Sequence, residues 1–195
     1  MAIENFPHHL IDSYEIHEWR HASAIMEKDF PSEWEDVVQV LSNFRLRRSA
    51  ILTPGGGKSP IAIDIDHTFY SMGWIEKSFD TRVMVDDRQM ISPTHKVDLY
   101  KNNIAIETEW NNKDPFFDRD LNNYRLLFEL RAISIGIIIT RCDELQLIFD
   151  RLGKGKSYGP STTHMSRLLP RLEGGSGGGC PILVFGISPR IYIED

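Results

Sequence analysis

Cysteine, long apolar runs and excess positive charge are all scarce in this chain, and each shortage removes a class of function. Two cysteines, Cys142 and Cys180, among 195 residues cannot build a disulfide framework, and neither has a partner at metal-ligand spacing. That usage points to a reducing compartment. No apolar run approaches the roughly 18 residues that a membrane-spanning helix requires. The first residues, MAIENFPHHL, lack a basic region followed by an apolar stretch, so a secreted protein is not expected. Lysine and arginine number 22 against 28 acidic residues, a net charge of −6. This balance speaks against a non-specific coater of nucleic acid, although a site-specific enzyme can concentrate its positive charge locally. With 41% hydrophobic residues, the length suits one domain with a proper core.

What is present is a concentration of acid on one short stretch. His95 to Trp110 reads HKVDLYKNNIAIETEW, two strands (Lys96–Tyr100 and Ile104–Trp110) joined by Asn102-Asn103. Asparagine tolerates positive φ better than any residue but glycine, which suits a two-residue hairpin loop. Such a loop sets Lys101 opposite Ile104, Tyr100 opposite Ala105, Asp98 opposite Glu107 and Lys96 opposite Glu109. Side chains alternate along a strand, so Asp98, Glu107 and Glu109 are expected on one face. Opposed residues have Cβ atoms about 5 Å apart, and the next residue on that face lies about 7 Å further along. Like charges at that spacing destabilise a sheet. A hard divalent cation would remove the repulsion, with Asp98 and Glu107 approaching Mg²⁺ from two sides while it keeps waters and takes phosphate oxygens. A solvent-exposed face with acidic decoration is the plain alternative. The opposite face, Val97, Leu99, Ile106, Thr108 and Trp110, is apolar enough to pack on a core in either case.

Asp, eight residues, then Glu-x-Glu on a strand resembles the PD-(D/E)xK nuclease signature, with Glu109 in place of the usual Lys as in BamHI-like enzymes. The surrounding text is similar to the BglII/BstYI-like branch of type II restriction endonucleases. Asp98 through Trp110 looks like that branch's Asp, short turn and apolar strand ending in Glu-Val-Gln-Phe. Pro115-Phe116-Phe117, the helix after it, the Ile-rich strand Gly136–Thr140 and the closing CPILVFGISP (Cys180–Pro189) are similar too. The likeness runs from Ser59 to Pro189 and is strongest from Val97 to Thr140. It departs at one position, where the branch has Gln and this chain has Glu109.

The resemblance implies an α/β, restriction-endonuclease-like core in which a central mixed β-sheet is flanked by helices. It implies a Mg²⁺-dependent endodeoxyribonuclease, with Mn²⁺ as a substitute, that cuts double-stranded DNA at a short palindrome. A homodimer in the cytoplasm of a bacterium or archaeon is expected. Asp98 and Glu107, joined by the Thr108 carbonyl, would hold the metal, and Glu109 would orient or deprotonate the attacking water or hold a second ion. Asp64 is a candidate supporting acid. A non-specific or repair-type nuclease, and a non-catalytic DNA-binding protein with an inert acidic face, are the competing functions.

The rest of the chain is read as one domain over residues 1–195, with an N-terminal helical part (1–50), a catalytic core (78–141) and flexible DNA-contacting loops (153–179). Glu15–Asp29 has helical spacing, and Pro31-Ser32 starts a second helix through Leu41, giving a helical hairpin. His17 and His21 fall at i, i+4, but no third metal ligand is evident, and surface histidines are expected. Arg45, Arg47 and Arg48 form a basic cluster, a phosphate-contact patch or a solvated helix end. Thr53–Ser59, TPGGGKS, lacks P-loop spacing and the segment SPIAID does not read as a helix opening, so a flexible loop is expected with Lys58 available to a backbone phosphate. Asp64 and Asp66 lie near the start of a helix that runs to Met72 and is ended by Gly73. Ser78–Gln89 reads as a strand and turn.

Asn111, Asn112 and Lys113 are expected to reach DNA just beyond the catalytic strand, since an asparagine amide can pair bidentately with adenine. An ordinary loop capping the next helix would read the same way. Phe117, Leu121, Tyr124, Phe128 and Ala132 form one helical stripe, closed by Gly136. Ile135–Thr140 and Pro181–Ile187 are continuous apolar runs, the mark of strands buried on both faces. Lys154 and Lys156 sit in a cationic loop that would clasp DNA or serve as a mobile linker. Ser161 or Thr162 would cap a helix carrying Arg167 and Arg171, and the glycines of Glu173–Gly179 suggest a loose loop.

Overall fold

The computed structural model describes residues 6–54, 56–92 and 94–195, apart from the side chains of Val83, Ile91 and Ser92. The chain opens with α1 (His8–Ser13), β1 (Tyr14–Trp19), α2 (Ala22–Asp29) and α3 (Pro31–Asn43). The helical spacing over Glu15–Asp29 therefore holds only in its second half. Arg20 and His21 both take a φ of 57°, left-handed values that interrupt a helix. Tyr14–Trp19 instead pairs antiparallel with Ile182–Ile187 near the other end of the chain. His17 and His21 consequently share no helix face, and His17 meets Glu15 at 2.9 Å. α3 starts at Pro31, where a fixed φ suits the first helical position, and packs against α2. At its end the Arg45 guanidinium donates to the Ser42 and Phe44 carbonyls, the helix-end role.

β2 (Leu46–Arg47) and α4 (Arg48–Leu52) precede α5 (Pro60–Ser71). Ser59 caps α5, its hydroxyl accepting the Ala62 N–H at 3.2 Å. The segment after the glycine loop thus does open a helix, and Gly73, at φ 84°, ends it as expected. β3 (Ile75–Lys77) leads to a separate two-stranded ribbon of β4 (Thr81–Val85) and β5 (Arg88–Ser92). β6 (Val97–Lys101) and β7 (Ile104–Thr108) are the acidic hairpin. After them come α6 (Pro115–Glu129), β8 (Ile135–Arg141), α7 (Gln146–Arg151), α8 (Met165–Glu173), β9 (Ile182–Ile187) and β10 (Tyr192–Ile193), which pairs with β2.

One mixed sheet has the order β1-β9-β8-β7-β6-β3, with β7, β8 and β9 parallel to one another and the other pairings antiparallel. The hairpin lies inside this sheet, not at its edge, because β3 covers β6. β8 and β9 are buried along their whole length, as their apolar runs predict. Alternate residues feed two cores. Ile135, Ile137, Ile139 and Phe185 pack with Leu41, Ile65 and Phe69 on one face. Ile138, Ile182 and Val184 pack with Leu121, Tyr124 and Leu168 on the other. The fold is a mixed α/β sheet flanked by helices on both sides. No helix among the described residues is long and apolar enough to cross a membrane.

Three local expectations change. Arg131, at φ 57°, follows the end of α6 where Gly136 was expected to close it. Gly136 lies in β8, where a Cβ would come 2.3 Å from the Tyr124 ring, whose hydroxyl donates to the Ile137 carbonyl at 2.6 Å. α8 is capped from a distance, since the Asp143 carboxylate accepts the Ser166 N–H at 2.9 Å and its hydroxyl at 2.6 Å. Residues 173–179 form tight turns, with Gly178 at φ 59° against Arg125 and its carbonyl accepting from Arg20 at 3.1 Å.

Candidate active site

Asn102 and Asn103 take φ of 44° and 65°, and the two-residue loop sets the expected register, with Lys101, Tyr100 and Leu99 opposite Ile104, Ala105 and Ile106. The ladder stops there. Between the pairs Ile75–Tyr100 and Lys77–Val97, β6 advances by one residue more than β3, which is a β-bulge. A bulge re-aims the side chains next to it, and it separates two acids expected side by side. Asp98 Oδ1 stands 3.6 Å from the ammonium of Lys58, on the side of α5. Glu107 faces α6, where its Oε1 lies 3.4 Å from His95 Nε2 and its Oε2 accepts the Asp98 N–H at 3.3 Å.

Glu107 is 1% exposed and Glu109 2%, so this acid is not solvent decoration. Burial, with Asp120 and Asp98 adding repulsion and His95 opposing, lifts Glu107 to about 8. Burial and the charge of Asp120 lift Glu109 to about 9, against the opposing hydrogen bond from Asn112. The Asn112 amide donates to Glu109 Oε2 at 2.7 Å, and Arg119 reaches Oε1 at 3.2 Å. Asp120, fully buried on α6, accepts from Arg119 at 2.8 Å and faces His95 Nε2 at 3.1 Å. Burial disfavours the imidazolium of His95, but the Asp120 and Glu107 carboxylates beside it at 3.1 and 3.4 Å outweigh that and raise it to about 9.

On the other side of β7, the Thr108 hydroxyl donates to Asp66 Oδ1 at 3.0 Å. Asp66 is 1% exposed and is paired with Lys58 through its second oxygen. Asp64, two residues earlier on α5, is exposed, so helix geometry turns Asp66 and not Asp64 to the strand.

Asp98, Thr108, Glu109, Asn111, Asn112, Lys58 and Lys154 line one open cleft of about 540 Å³. Asn111, at φ 58°, has a buried Oδ1 with no hydrogen-bond partner, so that acceptor is unspent. The Asn112 amide is already committed to Glu109. Lys113 is exposed, and its backbone bridges to Thr162. Lys154 is half-buried in the cleft wall, whereas Lys156 is exposed.

Three site residues escaped the sequence reading: Asp120, His95 and Arg119. Asp120 carried a signal, being an acid on the apolar stripe of α6 between Phe117, Leu121 and Tyr124. His95, Glu107 and Asp120 offer three ligand atoms within 4.8 Å of one another, a grouping able to hold a metal ion.

A model of one family, Restriction endonuclease BglII/BglIII, matches residues 14–187. The chain belongs to the BglII/BglIII restriction endonuclease family. A search of curated proteins finds no match. The match to the BglII/BglIII family begins with β1 and ends with β9, so it spans all six strands of the sheet and every site residue above. Membership makes the chain a DNA-binding endonuclease of a restriction system, a class of hydrolase that generally uses a divalent metal.

Proposed function

We propose that the chain is a Mg²⁺-dependent type II endonuclease that cuts both strands of duplex DNA at a short palindrome, acting as a homodimer. The observation that carries this reading is a buried acid next in sequence to Thr108 and Glu109, which line the cleft. No hydrogen-bond donor is aligned on Glu107 Oε1 among the described residues, although the residue is 1% exposed and surrounded by further carboxylates. A buried carboxylate left so is costly, and a cation relieves it. The oxygen-rich donor set of Asp98, Glu107 and the Thr108 carbonyl suits a hard ion such as Mg²⁺, with Mn²⁺ as a substitute.

Asp98 and Glu107 would hold the ion, which requires the Asp98 carboxylate to turn from Lys58 toward Glu107. Bound there, the ion supplies Lewis-acid charge against the negative charge that develops on the phosphate oxygens. His95 and Asp120 fix the Glu107 carboxylate from behind. Glu109, itself held by Asn112 and Arg119, orients the water for in-line attack on the scissile phosphodiester. Asn111, at the cleft wall, contacts the DNA, and Lys113, Lys154 and Lys156 contact backbone phosphates. Asp64 faces away, and Asp66 takes the supporting place. A palindrome has two-fold symmetry, which a symmetric pair of chains matches with one centre per strand.

Glu107→Ala tests the reading. It is expected to abolish cleavage while leaving the circular-dichroism spectrum and DNA binding largely intact. Retained Mg²⁺-dependent cutting by that variant would overturn the assignment.

A further inference from the structure

We propose that Lys58 is a catalytic residue of the same centre, its ammonium held by Asp66 beside Asp98 so that it faces the phosphodiester being cut. The inference rests on the nuclease reading above. Lys58 comes from the loop before α5, far in sequence from the hairpin, yet its Nζ is paired with Asp66 and lies 3.6 Å from Asp98 Oδ1. Asp66 is buried and receives the Thr108 hydroxyl on its other oxygen, so the lysine is tied through it to the strand that carries Glu107 and Glu109.

The chain directly after Lys58 is pinned as well. Ser59 takes the Ala62 N–H on its hydroxyl and the Ile63 N–H on its carbonyl at 2.9 Å. The Lys58 side chain nevertheless remains 42% exposed and lines the cleft together with Gly57, Asp98 and Glu109.

An ammonium carries three N–H donors. Asp66 pairs with this one and Asp98 lies 3.6 Å away, which leaves donor capacity on a side chain that lines the cleft. Asp66 is buried, whereas the Lys58 side chain is 42% exposed and lines the cleft. A fixed cation beside a reacting phosphate stabilises the charge that grows on its oxygens and pays no reorganisation when the reaction occurs. The loop before Lys58 faces open space, since a Cβ at Gly56 or Gly57 would meet nothing within 4 Å.

The test compares wild type, Lys58→Ala, Lys58→Gln and Lys58→Arg on one cleavable duplex. Single-turnover cleavage with enzyme in excess is read beside the equilibrium Kd for the same duplex in EDTA. Lys58→Ala and Lys58→Gln are each expected to lower the single-turnover rate about 100-fold or more while changing Kd by about threefold or less, and Lys58→Arg to recover part of the rate. Lys58→Gln keeps the stem and so serves if the alanine variant fails to fold. Cleavage by folded Lys58→Gln within about threefold of wild type would overturn the role of Lys58 and leave the nuclease reading standing. A wild-type chain that cuts no DNA would overturn both.

Discussion

Glu107, Glu109 and Asp120 are each at most 2% exposed, and they share one arginine and one histidine as cationic neighbours. The proton balance of that group has a definite sign. Glu107 and Glu109 rise from 4.5 to about 8 and about 9 in the folded chain. A carboxyl raised on folding stabilises the fold at pH below its unfolded value, and that stability is lost as pH climbs through the folded value. His95, raised from 6.5 to about 9, stabilises fully below 6.5 and loses its effect by 9. All three act in the same direction. In EDTA the Tm is therefore expected to fall between pH 6.5 and 9, and the Tm gain on adding Mg²⁺ is expected to grow over the same window. A metal-free Tm that stays level from pH 6.5 to 9 would contradict the burial account.

Glu109 can be tested at the same scale. The orienting role proposed for it, with the carboxylate held by Asn112 and Arg119, is one that a neutral amide can fill. Glu109→Gln is expected to keep the single-turnover rate within about tenfold, whereas loss of a general base would cost up to about 10⁴-fold. The hairpin that carries Asp98 and Glu107 was legible in the sequence because one tight turn sets the register of Lys101, Tyr100 and Leu99 against Ile104, Ala105 and Ile106. The separation of Asp98 and Glu107 onto two sides was not, because it depends on a bulge opposite β3, a strand about twenty residues upstream. Asp66 and His95 reach the site only through tertiary packing that no local spacing announces, whereas Asp120 shows as an acid on the apolar stripe of α6.

Among the elements, β8 and β9 were readable as buried strands because an unbroken apolar run has no solvent face to offer. β1 was not, since Ile16, Trp19, Ala22 and Met26 satisfy helical spacing equally well. Only pairing with β9 and the positive φ of Arg20 and His21 settle that segment as a strand. Gly136 was misread for a similar reason. Its lack of a side chain serves the approach of Tyr124 from α6 to β8, a contact between elements and not a helix end. Gly136→Ala sets a methyl 2.3 Å from that ring, so overpacking is expected to cost about 1–3 kcal/mol, read as a lower denaturant midpoint at unchanged m. A midpoint equal to wild type would mean that α6 shifts without cost.

For the molecule as a whole, a net charge of −6 is poor for general DNA attraction, and the proposed site would have to supply its positive charge locally. Lys58, Lys154 and Arg119 line the same cleft as the acids, so cations are concentrated where a phosphate backbone would enter. The sheet positions both sets at once: the hairpin supplies the acids, α5 and α6 approach from its two faces, and residues 53–54, 57–59, 154 and 157–158 line the cleft around them. The most direct test of this account is digestion of a sequenced plasmid with and without Mg²⁺, followed by mapping of the fragment ends. Discrete fragments that require Mg²⁺ and whose ends share one palindrome are the predicted result. A Mg²⁺-dependent smear would contradict site specificity, and no cutting with either Mg²⁺ or Mn²⁺ would contradict the proposed catalytic role of the acidic cleft.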